Sequence, residues 1–417
     1  MRGRWIAGAL LIAALPLTVP VIANTETDTL EPVTRHEKIG QLVTEFIQKS
    51  HYRHAAVDDD LSSQVLDRYI KSLDSNRMYL LKSDVEAFEQ FRYLLDDMVR
   101  SEPLNPVFDM FDVYRTRVRE RLTFALNQLE TEPDFTVDES YEFDREELPW
   151  AETDEELDEI WRKRVKNDAL SLTLAEKEWT EVQEILEKRY TRFLKRMDQV
   201  KSDDVFETFM NAFAHTLDPH SSYLSPRNSE EYRIQMSLSY FGIGASLQIE
   251  DDYVMVINVI PGGPAAINGE LQPKDKITAV GQGEDGTMED VIGWRLDEVV
   301  ELIRGPKGST VRLEVIPAKS KSTDERRQIT IVRNTVKLEE QSAQKKVLEI
   351  PNGEDVIKVG IIDIPAFYID FEAMRRGDKH YKSTTRDVKR LLGELEDEGV
   401  SGIIVDLRNN GGGSLLE

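Results

Sequence analysis

Two glycine-bearing stretches hold the residue types from which this chain could do chemistry. Gly242 and Gly244 lie within Tyr240-Phe241-Gly242-Ile243-Gly244-Ala245. Without side chains there, consecutive backbone N–H groups can converge on one point, and such a nest captures a carboxylate. Further on, Gly411, Gly412 and Gly413 follow the apolar run Ile403-Ile404-Val405-Asp406-Leu407. Glycines at the C-terminal end of a strand can turn their N–H groups toward a phosphate or a developing oxyanion. The run is not a Gly-Lys-Ser/Thr phosphate loop, because Ser414 follows directly. A bulge or close backbone approach accounts for the first pair of glycines as well, and a plain flexible turn for the second group.

Asp218, His220 and Ser221 look like the parts of a catalytic triad compressed into four positions. A triad needs three side chains in line, usually from separate elements, so the segment reads as turn chemistry with Asp218 ahead of Pro219. His51 and His54 stand near Asp58-Asp59-Asp60 but read as a solvated face, not a metal site. His36, His215 and His380 form no H-E-x-x-H arrangement either. The sequence has no cysteine, which excludes disulfides, thiol catalysis and cysteine metal sites from these residues.

The elements that must position these groups follow from hydrophobic period. From about residue 34 to 235 the pattern is helical. Ile39, Leu42, Val43, Phe46 and Ile47 predict one buried helix face, and Val65, Leu66, Tyr69, Ile70 and Leu73 a second. Val85, Phe88, Phe91 and Leu95 predict a third. A helix over Phe108 to Leu129 follows. Thr131 to Thr153 is an acidic loop, and Leu157 to Asp198 is one or two long helices. Asp203 to Leu217 adds a helix in which Phe206, Phe209 and Phe213 read as core.

From Ser239 to Val336 the period changes to two. Leu247, Ile249, Val254, Val256 and Val259 can share one face of paired strands around a turn at Asp251-Asp252. Pro261-Gly262-Gly263-Pro264-Ala265-Ala266 makes a turn into a short helix. Leu296, Val299, Val300 and Ile303 stand at helical spacing before the turn Gly305-Pro306-Lys307-Gly308, and Val311, Leu313 and Val315 alternate after it. Lys319 to Arg327 reads as an exposed hairpin loop, and Val336 to Ile350 as a charged connector. Val356 to Ile364, Thr384 to Glu398 and Ile403 to Leu407 read as strand, helix and buried strand, a βαβ unit opening an α/β domain.

The chain has 417 residues, 40% hydrophobic and 31% charged, and a formal net charge of -25. The acidity argues against nucleic-acid binding. Arg2 and Arg4 precede an apolar run from Trp5 to Ile22, and Val21-Ile22-Ala23 resembles a small-residue cleavage site. The expectation is a secretion signal over 1–23, an extracytoplasmic mature chain from near Asn24, and no stable membrane span after cleavage. An uncleaved anchor is the alternative.

The glycine pair, the Pro-Gly-Gly-Pro-Ala turn, the apolar helix and Gly-Pro-Lys-Gly-Ser together resemble a PDZ domain. With L-D-P-H-S-S-Y-L before them and V-D-L-R-N-N-G-G-G after them, the ordered motifs resemble the tail-specific protease (carboxy-terminal processing peptidase) family along essentially the whole chain after the signal. The resemblance implies a multidomain α+β protein: a helical N-terminal domain over 24–235, a PDZ-like β-sandwich or barrel with two helices over 236–336, and the beginning of an α/β peptidase domain over 337–417. It implies a periplasmic serine endopeptidase that selects protein substrates by apolar C-terminal tails and uses no cofactor or metal.

By the same resemblance, Tyr240, Phe241, Gly242, Ile243 and Gly244 surround the tail, with Leu296, Val299, Val300 and Ile303 as the helix wall. One of Gly411, Gly412 and Gly413, with Gly412 favoured, supplies an oxyanion-hole N–H. The family's serine–lysine dyad sits in S-A-S-A and G-K-G-T segments that do not occur in these residues. No catalytic residue is therefore assigned here: both are expected downstream of Glu417, and Ser414 is not the nucleophile. On that reading the 417 residues alone are inert. A non-catalytic PDZ scaffold that binds tails without cutting is the alternative.

Overall fold

The computed structural model describes residues 30–417 except 102, 321–324 and 354; the expected signal segment lies outside the described residues. Contacts divide the chain into two compact units between Ser222 and Tyr223.

The first unit is helical: α1 (Thr34–Ser50), α2 (Asp59–Leu73), α3 (Lys82–Phe88), α4 (Leu95–Arg100), α5 (Asn105–Gln128), α6 (Asp154–Thr173), α7 (Trp179–Asp198) and α8 (Ser202–Leu217). Side-chain caps start two of them. The Leu61 N–H donates to Asp58 Oδ1 at α2, and the Glu156 N–H to Thr153 Oγ1 at α6. Aromatic side chains fill the centre: Tyr69, Phe108, Trp161, Phe206, Phe209 and Phe213 are all buried. Tyr69 meets Phe209 edge-on at 5.6 Å, and the Trp161 indole N–H donates to Met78 O at 2.6 Å. The acidic loop between α5 and α6 is held by Glu139, which accepts from both Arg162 and Lys166 on α6.

Two of the expected helix faces are corrected. On α1, Ile47 is buried, but Leu42 and Phe46 are 64% and 63% exposed. The inward stripe is instead His36, Gly40, Thr44 and Ile47. α1 approaches α4 so closely that a Cβ on Gly40 would stand 3.3 Å from Val99 O. His36 stacks on Phe206 at 4.4 Å and hydrogen-bonds Asp203 at 2.6 Å, and those contacts set the rotation of the helix. Val85 to Leu95 is not one helix: a 3₁₀ turn over Glu89–Phe91 separates α3 from α4, and the Leu95 N–H donates to Ser62 Oγ.

The second unit begins with α9 (Pro226–Ser237). It continues through β1 (Ser239–Gly242), β2 (Ala245–Glu250), β3 (Tyr253–Val259), α10 (Pro264–Asn268), β4 (Lys276–Gln282), β5 (Met288–Asp290), α11 (Leu296–Ile303), β6 (Thr310–Ile316), β7 (Arg327–Val332) and β8 (Asn334–Lys337). β2, β3, β4, β6 and β7 form one antiparallel sheet in that order, with β5 paired to β4, so β2 is a terminal strand. β1 pairs antiparallel with β8 in a separate ladder that sets Gly242 opposite Asn334. The core under α11 contains Val254, Val256, Ile277, Val311, Leu313, Val315 and Ile329. Ile249, expected on the buried face, is 45% exposed near the hairpin end; a register shift between Ser246 and Leu247 bends β2.

The segment read as a charged connector, Val336 to Ile350, contains the end of β8 and most of β9 (Gln344–Asn352). β9 pairs antiparallel with β10 (Asp355–Asp363) along its whole length. After α12 (Phe371–Arg375) and α13 (Thr384–Asp397), β11 (Gly402–Asp406) returns parallel to β10, completing the expected βαβ unit. Ile362, Leu391 and Leu395 pack the α13 side of this sheet. β11, read as a buried strand, is corrected: Ile403, Ile404 and Val405 are 43%, 51% and 53% exposed. A continuous apolar run signals a strand covered on both faces. Among the described residues β11 pairs only with β10.

Candidate functional site

The cradle lies where two ladders part. Pairing of β1 with β8 ends at Gly242, and pairing of β2 with β3 starts at Ala245. Between them, Ile243 O accepts the Ala265 N–H at 2.7 Å and Gly244 O accepts the Ile260 N–H at 2.9 Å. The N–H groups of Ile243 and Gly244 donate to no acceptor among the described residues. Gly244 has φ +78°, and a Cβ there would stand 3.2 Å from Gly263 Cα; Gly242 lies against the Tyr240 ring, 2.8 Å from an added Cβ. Both glycines are therefore required by close packing, and that packing also aims two amides out of the ladders.

α11 forms because its apolar residues recur at helical spacing. Asp297 and Glu298 in the first turn complement the dipole, and Gly305-Pro306 ends it. It packs beside β2. The wall it presents differs from the expected one. Val299 and Ile303 are 0% and 3% exposed and belong to the core, as does Ile243 at 3%. These three are corrected from groove lining to support. Leu296 and Val300, one turn apart, are half-buried, and Phe241 is 49% exposed beside the cradle. Ala245 and Leu247 of β2, half-buried opposite α11, were missed; strand alternation put Leu247 on the apolar face but gave no sign that β2 is an edge.

Charged side chains tie α9 to both ends of α11. Arg227 pairs with Asp297 in the first turn, and Glu231 with Arg304 past the last. The Arg304 guanidinium also lies over the Tyr240 ring, 5.1 Å from its centroid. Burial raises the Tyr240 pKa, so the ring stays neutral.

Known proteins match along the chain. Residues 43–227 match the tail specific protease N-terminal domain, 231–316 the PDZ domain and 358–417 peptidase family S41. The tail-specific protease of Haemophilus influenzae is 42% identical over 372 residues, 89% of this chain and 50% of that protein. The chain belongs to the tail-specific protease family. The carboxyl-terminal-processing protease of Picosynechococcus sp. is 31% identical over 226 residues, 54% of this chain and 47% of that one. A crystal structure of the PDZ domain of the carboxy-terminal protease from Vibrio cholerae in complex with peptide is 48% identical. It covers 24% of this chain and 100% of that chain, with a TM-score of 0.23. The chain spans about half the length of these curated relatives.

The triple glycine follows β11 as expected, but its three amides are not equivalent. The Gly411 N–H donates to Pro365 O at 3.0 Å, and the Gly412 N–H to Asn410 Oδ1 at 2.7 Å. Gly412, the favoured donor, is thus spent inside its own turn. The Gly413 N–H has no acceptor among the described residues. Gly413 has φ +136° and sits where a Cβ would be 2.2 Å from Phe367 O. Asn410 braces the loop by donating to Ile364 O, and the Asp406 carboxyl is held at about 2 by Arg408.

Asp218, His220 and Ser221 form a turn: Asp218 Oδ1 accepts the N–H groups of His220 and Ser221 at 2.8 and 2.9 Å. His51, expected on a solvated face, is corrected. Its Nε2 lies 2.8 Å from Asp218 Oδ2 and 3.3 Å from Ser221 Oγ, and its side chain is 10% exposed. Ser221 Oγ sits 2.6 Å from the same carboxylate oxygen, so the three do not stand in line for nucleophile activation. The Ser221 hydroxyl, the His220 and Ser221 amides and His51 together hold the Asp218 carboxyl well below its ordinary range. The cluster pins the C-terminal ends of α1 and α8 together. Among the described residues, no group of three or more His, Asp or Glu could hold a metal ion, and no helix is long and apolar enough to cross a membrane.

Proposed function

We propose that the chain captures the apolar C-terminal tail of a protein substrate along β2, with the carboxylate seated in Phe241–Gly244 and the last side chain against Leu296, Val300 and Leu247. The carrying observation is the pair of amides at Ile243 and Gly244 that donate to nothing within the described residues, at the end of an unpaired strand edge. An edge strand supplies main-chain hydrogen bonds to an extended peptide, and an amide nest supplies two more to its terminal oxygens.

Capture of this kind serves serine-type endopeptidase action in the periplasm. In the family a lysine draws the proton from a serine hydroxyl as that serine attacks the carbonyl. Gly413 contributes its amide to the tetrahedral oxyanion. Calorimetric titration of a peptide ending in Leu-Val, as free acid and as carboxamide, tests the capture step. The free acid is expected to bind at least about tenfold more tightly, because charge-assisted bonds to a carboxylate exceed those to a neutral amide. Equal affinities would refute it.

A further inference from the structure

Arg333 lies between β7 and β8 and is 2% exposed. All five of its side-chain donor hydrogens find acceptors. Nε–H donates to Ile303 O at 2.8 Å, Nη1 to Ser309 Oγ at 2.9 Å and Thr310 O at 3.1 Å, and Nη2 to Gln282 Oε1 at 2.6 Å and Leu302 O at 2.9 Å. None of these acceptors is a carboxylate. A buried cation without a counter-charge is costly, and an apolar side chain of similar volume would hold a plain core as well or better. What a guanidinium adds is geometry, because its rigid fork fixes several acceptors relative to one another.

The acceptors it fixes are the last two carbonyls of α11, the start of β6 and the end of β4. Gln282 reinforces the joint by donating from Nε2 to Leu302 O at 2.8 Å. The backbone of Arg333 is locked as well: its N–H donates to Ser309 O, and its carbonyl accepts from Gly308 N–H, each at 2.8 Å. The next residue, Asn334, is the register partner of Gly242. Gly305, where α11 exits, passes the guanidinium so closely that a Cβ would stand 3.0 Å from Nε. Arg304, just before it, lies against Gly242. One side chain therefore joins the helix wall to the ladder that carries the cradle.

We propose that Arg333 is a positioning residue for tail capture, setting the spacing between the C-terminal end of α11 and the Phe241–Gly244 amides. This rests on the tail-capture reading above. The wall and the cradle must be held at one distance for the terminal side chain and the carboxylate to be bound together, and loss of the fork lets them drift independently.

The test compares the 417-residue chain with Arg333→Lys and Arg333→Met, each titrated with the Leu-Val-ended peptide as free acid and as carboxamide. Arg333→Lys keeps the charge and loses the fork. It is expected to weaken free-acid binding by about tenfold and to shrink the acid-to-amide ratio, as loss of charged hydrogen bonds implies. A merely structural role would lower both affinities together and leave the ratio unchanged, and that result overturns the proposal. Should Arg333→Met fail to fold by circular dichroism, Gln282→Ala decides. A smaller ratio in a folded protein supports the proposal, and an unchanged one overturns it. A wild-type chain that does not distinguish acid from amide removes the capture reading itself, and this inference with it.

Discussion

Gly244→Ala, with Gly262→Ala as its reference, measures how tightly the cradle is packed. Both glycines have positive φ, +78° and +73°. Each alanine therefore incurs the left-handed penalty of about 1–2 kcal/mol, less the roughly 0.4–1 kcal/mol gained from a stiffer unfolded chain. The two differ in what the new methyl meets. At Gly262 nothing lies within 4 Å. At Gly244 the Cβ would stand 3.2 Å from Gly263 Cα and 3.4 Å from Val336 Cγ2. The Gly263 neighbour is backbone and gives way poorly, so Gly244→Ala should cost about 1–3 kcal/mol more, the range for overpacking. Hydrogen exchange of the β2 and β3 amides reads this difference as a rate roughly five- to 150-fold faster in Gly244→Ala than in Gly262→Ala. Rates within about twofold of each other would refute the close-packing argument, and with it the claim that packing aims the Ile243 and Gly244 amides.

Three further outcomes are expected. In α1, Ile47→Ala should cost about 2–5 kcal/mol and Phe46→Ser no more than about 0.5 kcal/mol in urea unfolding; a large loss at Phe46 would restore the face read from the sequence. The Gly413→Ala methyl would collide with Phe367 O, breaking the Ser414 N–H bond to that oxygen and the Phe367 N–H bond to Gly412 O. It should destabilise the loop by about 2 kcal/mol, while Gly411→Ala meets open space and leaves exchange at Phe367 and Ser414 unchanged. The third is a pH effect. Hydrogen bonds from Arg162, then from Lys166, lower the Glu139 carboxyl from 4.5 to about 2. A depressed folded pKa contributes stability that is full above the unfolded value and is lost as pH falls through the folded one. Proteolytic nicking of the 131–153 loop should therefore rise between pH 4.5 and 2, and Glu139→Gln should flatten that rise.

Short-range regularities were legible without the fold. The α2 face from Val65 to Leu73, the aromatic core positions of α8, the alternation of Val311, Leu313 and Val315, and the strand–helix–strand order ending at Gly411 all follow from period and turn chemistry among near neighbours. The turn at Asp218 was equally readable, because its acceptors and donors lie within three residues. Less legible were features that depend on a partner far along the chain. His51 finds Asp218 across 167 residues, and β9, hidden in a charged run, is a strand because β10 lies beside it.

Which glycine keeps an unspent amide was likewise a tertiary matter. Gly411, Gly412 and Gly413 are interchangeable in sequence, and only their places against Pro365, Asn410 and Phe367 separate them. The same holds for the groove. Helical spacing selected Leu296, Val299, Val300 and Ile303 as apolar, but packing sent Val299 and Ile303 into the core and left Leu296 and Val300 half-buried beside β2. Arg333 had no local signature at all, since its five acceptors come from β4, α11 and the turn into β6. Local sequence determines which conformations and which faces are available, because propensity and period act over a few residues. Which face is used, and which polar group is left to bind something else, is decided by the neighbours that the completed fold brings within hydrogen-bond reach.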